Sequence, residues 1–363
     1  GAPTSLVSVS GKPREMRVLP RGDWLDDSGD VVTPAVPAFL EKNAVRKVGR
    51  SRADLARWLT RKDNPLVPRV FVNRIWKMLM GGGIVRTLDD FGSQGSVPSH
   101  PELLDWLALE FVASGWDVKR LLRTIVNSET YKRSSMIRRD YQEADPLNRE
   151  LWRQGRLRLE AEFVRDNALS VSGLLSRRVG GVSVHPYQPA GYWAHLNFPK
   201  RKYKPGKGES LYRRGVYMHW QRTFLHPSLL AFDAPTREEC TAERVVSNTP
   251  QQALVLLNDP VFVEAARVFS ERIQRQGGDD FNSRLDFAFS IALQRKPASS
   301  ERPIFEKLYR SHLELYSKDE DSARALVSTG EWPVAAGLPL ATHAAWTSVA
   351  RVVLNLHETL MRY

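Results

Sequence analysis

Apolar side chains recur along most of this chain at the three- and four-residue spacing of a buried helix face, and polar capping residues stand where those runs begin and end. Leu55, Trp58 and Leu59 form the first stripe; Ser51 with Asp54 three residues on supplies its start, and Asp63-Asn64-Pro65 its stop. Val67 to Met80 is a second helix that ends at Gly81-Gly82-Gly83. Ser99-His100-Pro101-Glu102 has the pattern of a capping box ahead of Leu103, Leu104, Leu107 and Phe111. Val118, Leu121, Leu122, Ile125 and Val126 repeat the same spacing, and Leu157, Ala161, Val164, Ala168, Val171 and Leu175 predict a long helix over 156–175. Thr249-Pro250-Gln251-Gln252 opens another helical stretch, Phe262, Ala265, Ala266, Phe269 and Ile273 form its next stripe, and a last helix covers residues 340–360.

The pattern fails twice. Residues 1–50 carry Pro13, Pro20, Pro34 and Pro37 with little helical periodicity, as expected of an extended arm. Over 180–235 Gly, Pro and aromatic residues cluster, and Val216, Met218 and Trp220 alternate with Tyr217, His219 and Gln221 as in a strand. The expected fold is mainly α, a multi-helix domain with a small irregular, partly β insertion. Its parts are an extended arm (1–50), a helical subdomain (51–179), a basic aromatic insertion (180–235) and a C-terminal helical subdomain (236–363). No apolar run approaches the roughly 20 residues that cross a bilayer, so no transmembrane segment is expected.

Charge narrows the partners. Lys and Arg number 53 against 41 Asp and Glu, a net charge of +12 that favours polyanions or an acidic partner surface. The single cysteine, Cys240, excludes an intrachain disulfide framework and is expected as a packed thiol. The eight histidines include no His-x-x-x-His pair, His219 and His226 lie seven residues apart, and no phosphate-cradling glycine loop opens a helix. Neither a metal site nor a cofactor is expected in this chain.

Three local clusters carry candidate chemistry. In the insertion, Lys200, Arg201, Lys202, Lys204, Lys207, Arg213 and Arg214 are interleaved with Tyr192, Trp193, Tyr203, Tyr212, Tyr217 and Trp220, with only Glu209 opposing them. Cations neutralise sulfate, phosphate or carboxylate while aromatic faces stack on sugar rings. Tyr192, Trp193, Lys200, Arg201, Lys202, Tyr203, Lys204, Arg213 and Arg214 are therefore the candidate ligand-binding set; the competing reading is a solvated loop over core aromatics. Asp89 and Asp90 with His100 and Glu102 are candidates for acid–base work, against a plain turn followed by a helix cap. On the 156–175 helix, Arg158–Glu162 and Glu162–Arg165 have ion-pair spacing, while Glu160 with Asp166 is a possible carboxylate pair across a sugar. Arg74, beside Asn73, either orients an anion or binds helix carbonyls.

Phe71-Val72-Asn73-Arg74-Ile75-Trp76, Asp89-Asp90-Phe91-Gly92, Pro98 to Trp106 and Gly115-Trp116-Asp117 together resemble the planctomycete C-terminal domain of unknown function 1553. The resemblance continues through Arg158 to Glu162, Tyr212-Arg213-Arg214, Phe232 to Pro235, Asn248 to Leu254, Leu257 to Pro260, Ala345-Trp346-Thr347 and Leu354 to Glu358. Gly215, where that family often has Ser, and His357, where an acidic residue is commoner, depart from it. The resemblance implies an extracytoplasmic domain whose parent protein also carries a cytochrome-c-like module. With the basic cluster, it favours an accessory module that binds an acidic polysaccharide or other envelope polyanion. The alternatives are a glycan-active enzyme with a carboxylate/His pair (Asp89, Asp90, His100, Glu160) beside a haem module, and a scaffold docking the cytochrome-like domain. Nucleic acid fits less well, since the implied location is outside the cytoplasm and no groove-reading motif is present.

Overall fold

Local capping chemistry starts three of the four α-helices described in the first unit. In the computed structural model, which describes residues 4, 6–9, 11, 14–40, 51–196, 200, 202–222 and 224–363, Ser51 and Asp54 close a capping box on α1 (Arg52–Leu59). Asn64 Oδ1 receives the N–H groups of Leu66 and Val67 at the head of α2 (Val67–Met80), which ends at Gly81 with φ +92°. The helix α3 (Pro101–Ala113) starts one residue later than the expected box requires. His100 is thus its N-cap, Glu102 stands at the second position rather than the third, and Ser99 Oγ meets His100 Nδ1 at 3.0 Å instead of capping. Asp117 caps α4 (Val118–Val126) by accepting the Arg120 N–H. α2 packs on α3, with Phe71 stacked on Phe111 at 4.9 Å. In the arm, β1 (Met16–Arg17) pairs antiparallel with β2 (Val31–Val32), Met16 opposite Val32. These elements belong to one compact unit, Gly1–Arg133.

The second unit, Ser134–Tyr363, opens with the short α5 (Arg139–Ala144). The long helix expected over 156–175 is shorter, because β3 (Leu157–Arg158) pairs antiparallel with β4 (Met361–Arg362) and only then does α6 (Ala161–Ser172) begin. α7 (Pro227–Ala231), α8 (Pro250–Asn258) and α9 (Pro260–Gln276) follow, α8 through the expected Thr249/Gln252 capping box. α10 (Phe281–Leu293), α11 (Glu301–Lys318), α12 (Glu320–Val327) and α13 (Leu340–Asn355) complete it; the final expected helix gives way to a 3-10 turn at His357–Leu360.

The fold is mainly α, with thirteen α-helices and two two-stranded sheets among the described residues. α9 is the centre of the second unit and is buried on all sides from Val261 to Phe269, against α6, α8, α10, α12 and α13. The alternation at 216–220 is not a strand. Gly215–Tyr217 is a 3-10 turn, and the β character around it, among the described residues, takes the form of single bridges such as Ser176 with Arg213 and Val184 with Met218. Cys240 is exposed, because it lies in the irregular 235–249 stretch with no apolar face to join.

Candidate functional site

The insertion is laid onto α6 by buried polar groups. Arg165 is about as deep as any side chain here, 1% exposed, and donates from Nη1 to the Arg213 carbonyl at 2.6 Å and from Nη2 to the Leu211 carbonyl. Asp166 Oδ1 accepts the Gly215 N–H at 2.6 Å. Gly215 lies so close to α6 that a Cβ there would sit 2.8 Å from that of Glu162. This clamp fixes the two neighbouring arginines. Arg213, 6% exposed, donates to the Gly180 carbonyl at 2.6 Å and lies 3.9 Å over the Tyr217 ring, while Tyr217 Oη accepts the Gly180 N–H at 2.8 Å. Arg213 therefore ties down the 178–180 turn. Arg214 is half-buried, 5.6 Å from the same ring.

Above this frame stands a base of rings. Tyr203 donates its hydroxyl to the Pro186 carbonyl at 2.5 Å and meets the buried Trp193 edge-on at 5.1 Å and His185 at 5.4 Å. His185 stacks on His219 at 4.6 Å. Tyr192 donates to the Leu225 carbonyl at 3.0 Å. The basic loop is pinned at three points: through Tyr203, through the Gly206 N–H to the His185 carbonyl at 2.7 Å, and through the Gly208 N–H to Glu331 at 3.0 Å. Lys200 and Lys202 ahead of the first pin, and Lys204 and Lys207 between the pins, are exposed, and none has an ion-pair partner among the described residues. Glu209, the one opposing carboxylate, is occupied by Ser176 Oγ at 2.6 Å, with Arg178 at 3.7 Å. Arg201 lies outside the described residues.

Burial sets the protonation of this region. It pushes the Asp259 carboxyl up to about 6 against the opposing field of Arg165 and raises the Tyr203 phenol. It holds His226, whose Nδ1 meets Ser228 Oγ at 2.8 Å, down to about 4. His185 is lowered by burial first and by His219 second. The Gly180 N–H, with Arg214 and Arg213, holds the Tyr217 phenol below its usual value.

The acid–base candidates fall into both units. In the first, Asp89 is exposed, Asp90 Oδ1 accepts the Gly92 N–H at 2.7 Å in a turn, and His100 meets Ser99. In the second, Glu160 is the N-cap residue of α6, with its carboxylate 3.3 Å from Arg244. Neither pair expected along that helix forms. Arg165 is spent on the carbonyls beneath it, Arg158 belongs to β3 and lies 5.4 Å from the Phe232 ring, and Glu162 is held by both ends of Arg244 at 2.7 and 3.2 Å. Arg74 is exposed, whereas Asn73 is buried. His185 belongs to no motif, and His219 enters the sequence pattern only through the alternation at 216–221 and its distance from His226; their meeting depends on Val184, whose carbonyl accepts the His219 N–H at 2.8 Å.

Together these features define a mainly helical domain with a pinned, basic surface loop over a base of aromatic and imidazole rings. The family model of PSD1, described as a protein of unknown function (DUF1553), matches residues 51–309, and the chain belongs to that family. No curated protein and no solved structure matches it. Among the described residues no helix is long and apolar enough to cross a membrane.

Proposed function

We propose that this domain is an accessory, non-catalytic module that binds an acidic polysaccharide or another envelope polyanion outside the cytoplasm, through the basic loop at 200–207. One observation carries the reading: four lysines without ion-pair partners among the described residues stand exposed on a loop pinned from below at Tyr203, Gly206 and Gly208. Pinning lowers the ordering cost of binding, and free ammonium groups release counterions when they meet a polyanion. The rings support the loop rather than stack on a ligand, since Trp193 is buried and the Tyr192 and Tyr203 hydroxyls are spent on backbone carbonyls. The location outside the cytoplasm rests on the family resemblance. An acid–base role for Asp89, Asp90, His100 and Glu160 has less support, because Asp90 and His100 serve a turn and a helix start and Glu160 pairs with Arg244.

The test compares two sets of three charge removals in the full chain. Lys200, Lys202 and Lys204 to Gln should weaken binding to heparin at least about tenfold and reduce its salt dependence by up to about three counterions. The same substitution at Lys307, Arg310 and Lys318, exposed on α11, should change affinity about twofold or less. Equal weakening by both sets means that net charge alone binds heparin, and the loop is then not the site.

A further inference from the structure

The rings beneath the lysines are not all inert. Two are imidazoles, His185 and His219, stacked with centroids 4.6 Å apart and planes within 24°. They are joined to the basic loop by a backbone hydrogen bond and by ring packing. His185 accepts the Gly206 N–H at its own carbonyl and packs against the edge of Tyr203, whose hydroxyl is held by the next carbonyl, that of Pro186. Trp193 touches both Tyr203 and His219.

We infer that His185 and His219 are proton-linked parts of the polyanion site, so that binding takes up protons and tightens as the medium becomes acidic. The inference rests on the reading of the loop given above. Stacked neutral imidazoles pack as flat rings, whereas two imidazolium charges at this separation repel each other and add to the positive charge of the neighbouring loop. A polyanion laid on the loop brings negative charge to that spot and offsets the repulsion. By linkage, whatever favours protonation on binding also makes protonation favour binding. Of the titratable groups, Tyr203 of the loop meets His185, with Lys202 and Lys204 flanking Tyr203 in the chain, Tyr187 two residues after His185 and Tyr217 two before His219. Beyond Tyr203 stand Arg165 of α6 and Asp259 at the head of α9, both acting on that phenol. Among the described residues neither imidazole has a carboxylate partner that would hold it protonated in the free protein. The sign follows: His185, held down by burial first and by His219 second, resists protonation in the free protein, a bound polyanion favours it, and the added affinity is present at low pH and lost as pH rises through the bound-state value.

The experiment uses the full chain and heparin at fixed ionic strength. For the unchanged protein, affinity should rise roughly tenfold from about pH 7.5 to about pH 5.5, and the double variant His185→Gln, His219→Gln should gain about twofold or less over that range. At the upper pH the two should bind alike. If the double variant keeps the full pH dependence, the inference is wrong and the loop reading stands. If instead the Lys200, Lys202, Lys204 variant binds as tightly as the unchanged chain, the loop reading fails and the inference falls with it. Should the double variant fold poorly by circular dichroism, titration of the imidazole Cε1–H resonances in the unchanged protein decides. Heparin must raise the pKa of at least one of the two rings, and two unmoved values overturn the proposal.

Discussion

Asn73 shows how much one side chain can hold. It is fully buried, and its amide serves both backbone groups of Val85: Nδ2 donates to the carbonyl and Oδ1 accepts the N–H, each at 2.9 Å. Gly83 makes room for it, since a Cβ there would lie 2.9 Å from Asn73 Nδ2. Replacing Asn73 by Ala strands a buried donor and a buried acceptor, which costs about 1–3 kcal/mol for each unsatisfied group, so a loss of about 3 kcal/mol is expected. The exposed neighbour Arg74→Ala should stay within about 0.5 kcal/mol. Hydrogen exchange at the Val85 amide is the direct measurement. Its protection should collapse in the Asn73 variant and persist in the Arg74 variant.

At the scale of elements, α9 explains why a charged row can run through a core. Glu264, Arg267 and Glu271 are buried with the apolar stripe, and a distant segment supplies several of their partners, while Arg267 Nε has none among the described residues. Glu264 Oε1 accepts the Tyr212 hydroxyl at 2.8 Å and the Trp332 N–H at 2.7 Å, while Arg267 donates to the Trp332 carbonyl and to Glu271, both at 2.6 Å. The helix thereby holds the 329–337 segment by its backbone. Gly330 is the point of closest approach: its φ is +93°, and a Cβ there would fall 2.0 Å from the Glu264 carboxyl carbon. Gly337 has φ +80° with open space around it. Ala at Gly337 should therefore cost only the left-handed backbone, about 1 kcal/mol, whereas Ala at Gly330 must also displace a buried carboxylate and should cost about 3 kcal/mol or more. Denaturant unfolding of the two variants checks this order, and equal losses would mean that the carboxylate moves aside freely.

Across the whole molecule, acid acts through groups of opposite sign. Buried His226 and His343 are held down to about 4, chiefly by burial; beside His343, Arg267 already occupies Glu271. An unfolded chain takes up these protons near the ordinary imidazole value, so stability is fully present above that value and is lost as pH falls toward about 4, by up to a few kcal/mol per ring. Asp259, at about 6, and the raised Asp166 and Glu271 work the other way: the fold protonates them before the unfolded chain does and recovers stability over the lower part of the same range. The melting temperature should fall as pH is lowered from about 6.5 to about 4.5, and His343→Gln should flatten that fall whatever its effect near neutrality. An unchanged slope would mean that His343 does not stay neutral in the fold.

Residue order alone decides only local features. Ser51 with Asp54, Thr249 with Gln252, and Gly81 closing Val67–Met80 act within one turn of chain, so their side chains suffice to place a helix start or stop. The apolar stripe of α9 and the crowding of cations at 200–214 were legible for the same reason. What needed the tertiary structure was every decision taken between distant segments. Arg165 and Arg213 look like members of charged clusters, yet they are buried because carbonyls 33 to 48 residues away receive them, while Lys202 and Lys204 remain outside. The polar face of α9 enters the core because Tyr212 and Trp332 reach it from either side of the sequence. His185 and His219 become a pair because backbone bonds at Val184 lay one segment beside the other. A periodic pattern records how a residue relates to its own helix; whether a charge is solvated, clamped or stacked depends on desolvation and on partners supplied from elsewhere in the fold.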